Sequence, residues 1–163
     1  MPPITLRTLL KESLSIWAIL LVFYAVGAVL NAMSEIAFLV QTGDFVREGF
    51  VLAGTSSAIL YVLVRSVALA RTIDIASVTL LSNSTTFVRE AVVLALPIIL
   101  WFTLAGLATA LSSFDPVNAA VETIVLAATR TGILTAVLYV LARSIAVLVT
   151  TDGSGPMSVS ADD

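Results

Sequence analysis

The sequence predicts an all-α fold, a four-helix transmembrane bundle built from two tandem two-helix repeats, and three observations predict it. Hydrophobic residues fill 59% of the 163 positions and charged residues 12%, with a mean hydropathy of +1.08, whereas a soluble domain carries roughly 25% charged residues. The apolar residues run in four continuous blocks, near 14–40, 50–70, 91–111 and 123–149, and each reaches the ~20 residues that cross a ~30 Å hydrocarbon core. Finally, "YVLVRSVALA" at 61–70 returns almost letter for letter as "YVLARSIAVL" at 139–148.

The first block follows Arg7 and Lys11, as a signal peptide would, but it is far longer than the 7–15 residues of a signal core. Its small-residue end, "VLNA" at 29–32, lacks a small residue third from last, so the block reads as a retained helix. A β-barrel would alternate apolar and polar positions over ~10-residue segments, and these blocks do not. "QTGDFVREG" reads as a short connection to the second block, and "SSFDPVNAA" as the matching connection to the fourth. The loop 71–89 between blocks two and three has room for a short surface helix. Pro97 is expected to kink or loosen the third helix. Residues 1–150 thus form one integral-membrane domain, and the acidic tail 151–163, "TDGSGPMSVSADD", reads as disordered because it cannot bury apolar area.

Lys and Arg in short loops set orientation. Arg7, Lys11, Arg71 and Arg89 fall on one side and Arg47 on the other, with Arg130 a little inside block four. Both termini are therefore expected in the cytoplasm, in a multi-pass protein of the cell membrane. Arg130 reads as an anchor near the outer surface or a partner of Glu35 or Glu122.

The offset between the two tyrosines is 139 − 61 = 78. The same offset carries Lys11-Glu12 onto Arg89-Glu90 and Thr72 onto Thr150. Two copies, 5–76 and 83–154, each cross twice and so point the same way, which predicts a parallel repeat with a pseudo-twofold along the membrane normal.

Residues at i, i+4, i+7 and i+11 share a helix face. Tyr61, Arg65, Ala68 and Thr72 have that spacing, as do Tyr139, Arg143, Ala146 and Thr150, with Ser66 and Ser144 beside the arginines. Gly54, Ser57 and Ala58 continue one stripe, and Ala128, Gly132, Thr135 and Ala136 the other. Small residues of this kind make seams where membrane helices approach closely. If Arg71 and Thr150 mark the inner boundary, both guanidiniums start within about 5 Å of the midplane. A charge kept there twice implies a partner, and Glu12 and Glu90, in register at the entrances of helices one and three, are the candidates. The competing reading leaves the guanidiniums to an anion, since Arg offers a planar, permanently charged fork of donors.

The chain has no Cys and no His, which excludes disulfides, thiolate chemistry and nearly all zinc sites. No cofactor and no metal are expected. A net charge of −3 without a basic patch speaks against nucleic acid. No nucleophile–base set, phosphate loop or intramembrane carboxylate pair points to an enzyme. The expected partners are the lipid bilayer and either a second copy or another membrane protein. The expected function is a structural or accessory membrane component, and the alternative is a small oligomeric anion channel or transporter built on Arg65 and Arg143.

Overall fold

The computed structural model describes residues 5–36, 40–71, 84–111 and 118–152, and these form four α-helices. They are α1 (Leu6–Ile36), α2 (Val40–Ala70), α3 (Ser84–Leu111) and α4 (Asn118–Asp152). No described residue lies in a strand. Each helix contains a stretch long and apolar enough to span a membrane: Leu6–Ser34, Thr42–Ala70, Ala91–Ala110 and Ala120–Val149. Only 22–28% of each spanning window is buried within the protein, so most of the apolar surface, including Val22, Leu52, Leu60, Val64, Ile99 and Leu107, faces outward. Helices apolar on all sides suit a lipid surround.

The helices are longer than the hydropathy blocks. "QTGDFVREG", expected as a connection, is the first part of α2, and α1 has already ended at Ile36. Hydropathy marks the most apolar part of a helix, and the helix continues through polar residues as long as its backbone hydrogen bonds do. The same holds for α1, which begins at Leu6 because Thr5 caps it: the Thr8 N–H donates to Thr5 Oγ1 at 3.3 Å, the N3-to-Ncap bond expected of threonine. Thr151 and Asp152, read as tail, are still helical. The remainder of that tail and positions 72–83, where a surface helix was expected, lie outside the described residues. Pro97 is fully buried and α3 continues through it as unbroken helix.

Two helical hairpins, α1–α2 and α3–α4, pack through α4. That helix touches all three others, α1 touches α3 only slightly, and α2 and α3 share no contact among the described residues. A strict twofold would make the α1–α4 contact equivalent to one between α3 and α2, so the two halves pack unequally. The core at the α1–α2–α4 junction holds Ile16, Leu20, Ala58, Val62, Leu138 and Ala142. Trp17 and Trp101 link α1 to α3 with ring centroids 5.5 Å apart.

The α1–α2 seam is an interlock. Phe23 of α1 lies over Gly54 of α2, where an added Cβ would stand 2.6 Å from the Phe23 Cβ. Phe50 of α2 lies over Gly27 of α1, where the same distance would be 2.9 Å. Each aromatic sits in the space left by the other helix's missing side chain, and the rings meet at 6.5 Å.

This seam predicts opposite effects for the same substitution. Gly54→Ala and Gly27→Ala should each destabilise the bundle by about 1–3 kcal/mol through overpacking. Gly106→Ala on α3, where nothing lies within 4 Å, should be neutral or stabilise by up to about 1 kcal/mol through helix propensity. Unfolding of the purified variants in mixed micelles checks the order.

Candidate functional site

The polar residues within the spans gather in clusters. Levels are taken from the middle of each span at about 1.5 Å per residue, with the terminal side holding the chain ends and the hairpin side the α1–α2 and α3–α4 connections. Arg65 lies nine residues, about 13 Å of helix, from the middle of the Thr42–Ala70 stretch, toward the terminal side.

At that terminal-side level the structure brings Glu12, Tyr61 and Arg65 together. Arg65 Nη2 donates to Glu12 Oε1 at 2.7 Å, and the Tyr61 hydroxyl donates to Oε2 at 2.6 Å. One carboxylate on α1 thus holds a phenol and a guanidinium from successive turns of α2, the i, i+4 spacing placing both on one face. The Glu12 side chain is 2% exposed and that of Arg65 41%. The carboxylate is the enclosed member, and the guanidinium emerges toward the edge of the bundle, as a long basic side chain can.

The second copy of the motif is met differently. Arg143 donates to Tyr139 at 3.2 Å, one turn back on its own helix. Ser66 is buried and donates to Leu63 O at 2.8 Å, whereas Ser144 is exposed. Thr72 and the side chains of Glu90 and Thr150 lie outside the described residues.

The stripes face inward. Gly54, Ala58, Ala128, Gly132, Thr135 and Ala146 are buried. Thr131 and Thr135 donate to the carbonyls four residues back on α4, each at 2.7 Å, so both hydroxyls are satisfied within their own helix. Gly132 lies against Phe102, 3.2 Å from where a Cβ would stand.

A third cluster was not anticipated. Arg130 was read as an outer anchor or a partner of Glu35 or Glu122. It instead donates through Nη1 to the Tyr24 hydroxyl at 2.6 Å and to Thr55 Oγ1, with its guanidinium 5.4 Å from the Tyr24 ring centroid. Glu122 is taken by Arg47 at 3.1 Å. Arg130 lies four to five residues, about 7 Å, from the middle of its apolar stretch, nearer than Arg65 or Arg143 lies to the middle of its own. The block boundary at 123 had placed it near a surface, and Tyr24 and Thr55 share no motif that the sequence repeats. Among the described residues no three acidic side chains converge on a point that would hold a metal.

No known protein family matches the chain, and no curated protein or solved structure is similar to it.

The unequal exposure of Glu12 and Arg65 predicts an unequal response. Arg65→Leu strands an enclosed carboxylate and should cost about 3 kcal/mol, the scale for breaking a buried pair. Glu12→Gln leaves a guanidinium that can turn to water or headgroups and should cost about 1 kcal/mol. Combining the two should cost less than their sum by about 1 kcal/mol or more. A double-mutant cycle on unfolding free energy measures all three.

Proposed function

We propose that the chain is a non-enzymatic, polytopic integral protein of the cell membrane, a structural or accessory component that packs as a helix bundle with itself or with a membrane-protein partner. The observation that carries this reading is the inward-facing, small-residue stripe of α2 and α4. Its glycines are in contact with neighbouring helices and its buried threonine hydroxyls are spent on their own backbone. A stripe of that kind supports a packing seam, where small side chains let helices approach, more than a hydrated path, which needs hydroxyls turned to water.

The alternative of an anion channel or transporter built on Arg65 and Arg143 has less support, because Arg65 is turned onto Glu12. The repeated motif supports descent from a duplicated two-helix unit, 5–76 and 83–154, whose halves now pack unequally. The basic residues at positions 7, 11, 71 and 89 support cytoplasmic termini.

The test is wild-type flux. Purified, folded protein in liposomes should pass chloride, nitrate and acetate no faster than empty liposomes do, and Gly54→Leu should abolish folding or assembly. Anion flux that falls on Arg65→Gln or Arg143→Gln with the fold intact would replace the component reading with the transport one.

A further inference from the structure

The most central charge described in the bundle has only neutral partners. A proton count around Arg130 shows what it has left to offer. Thr55 Oγ1 donates to Val51 O at 2.7 Å, so the Tyr24 hydroxyl, 2.8 Å from Thr55, must donate to it. Both hydroxyl protons are then used, and the two oxygens accept from Arg130 Nη1. Nη1 has two N–H groups and both are occupied. The Nε–H and the two N–H groups of Nη2 have no partner among the described residues. They are not sealed either: Arg130 is half-buried, and neither nitrogen is among the enclosed polar atoms, in contrast to Arg65 Nε.

Nε and Nη2 form the edge of a guanidinium that binds carboxylate with two parallel hydrogen bonds. Here that edge is held in place by Tyr24 and Thr55, with the phenol ring against the guanidinium. Hydroxyl acceptors and a π face orient a positive charge without neutralising it, and an uncompensated charge at this depth is expensive. The described acidic side chains of the spans do not meet it. Glu12 holds Arg65 and Tyr61 in the other half of the bundle, and Glu122 holds Arg47. Glu48 and Asp44 stand seven and eleven residues from Thr55, about 10 and 16 Å along α2, and neither makes an ion pair with Arg130.

We infer that the Nε–Nη2 edge of Arg130 is a binding site for one carboxylate, or a planar oxyanion of the same geometry, supplied by another molecule. The site uses residues different from those behind the component reading, so either can fail alone. Two-point geometry sets the specificity: acetate and nitrate engage both nitrogens, and chloride, a single sphere, does not.

The experiment reads the Arg130 Nε–H resonance in arginine-15N-labelled protein, assigned by its loss in Arg130→Lys, which keeps charge but removes the fork. If that variant does not fold, Tyr24→Phe identifies the resonance by moving it. In lipid nanodiscs at constant ionic strength, acetate and nitrate should shift the wild-type resonance saturably. Chloride should bind about tenfold or more weakly, the scale of one lost charge-assisted hydrogen bond. Glu48→Gln should leave the titration unchanged. In particles cut directly from the native membrane, a resonance already shifted, insensitive to acetate and returned by purification, also supports the site and assigns the carboxylate to a co-resident membrane molecule. A resonance that responds to no oxyanion and has the same position in native and reconstituted membranes overturns the inference. So does a shifted position that disappears with Glu48→Gln, because the carboxylate would then be the protein's own.

Discussion

A guanidinium within a membrane span must find acceptors in the protein, at the interface or on another molecule, since the hydrocarbon offers none and the charge cannot be shed. Much of the bundle's register follows from how that demand is met. Glu12 receives Arg65 and Tyr61 and so fixes how far α2 slides along α1. Arg47 meets Glu122, and eight residues on along each helix Thr55 meets Arg130. Equal steps on both helices require α2 and α4 to run parallel and in step. Apart from the Phe23–Gly54 and Phe50–Gly27 interlock, the apolar contacts have less power to set register, because one Leu or Val against another is nearly as good a turn away. Polar contacts therefore align the helices and close packing holds them.

Close packing in turn depends on missing side chains. Lipid tails are as apolar as leucine, so helix association within a membrane gains from contact rather than from escape from water. The reciprocal Phe23–Gly54 and Phe50–Gly27 arrangement raises that contact by bringing the backbones of α1 and α2 together. It also brings Glu12 within reach of α2, because a carboxylate on a short stem joins both Tyr61 and Arg65 only if the two helices are near. The seam and the ion pair are for this reason not independent. Weakening the approach at Gly54 would be felt at Glu12, although the two lie about 18 Å apart along the helix axes, a separation of twelve residues between Glu12 and Tyr24, the Gly54 neighbour.

The helical class, the four spans and the inward face of the two stripes were legible in the sequence because each is written in composition or in helical periodicity. A pairing of Glu12 or Glu90 with Arg65 or Arg143 was legible for a related reason, since all four lie near a chain-terminal end of their hairpin, but which of them meet was not. Helix ends were not legible, as Gln41–Gly49 shows, because a polar stretch of helix has the composition of a loop. The deepest polar cluster was missed because its three members come from three helices and no local pattern joins them. The unequal fates of Ser66 and Ser144 were equally hidden. Identical residues meet different neighbours once α4 packs against three helices and α2 against two.

That last asymmetry bears on Arg130. The 78-residue offset relates Arg130 to Leu52, Tyr24 to Phe102 and Thr55 to Ile133. Every polar member of the cluster has an apolar counterpart, and all three counterparts are exposed to the bundle's surroundings. The terminal-side motif shows the opposite behaviour, since Tyr, Arg and Ser stand in both halves. A requirement shared by any two-helix unit, such as anchoring a helix at the membrane edge, would put the same residues in both copies. A requirement of the assembled bundle arises where helices of both hairpins converge, and among the described residues α1, α2 and α4 meet in such a place. The Tyr24–Thr55–Arg130 cluster occupies it, which ties the charge to the assembled bundle rather than to the insertion of a single hairpin.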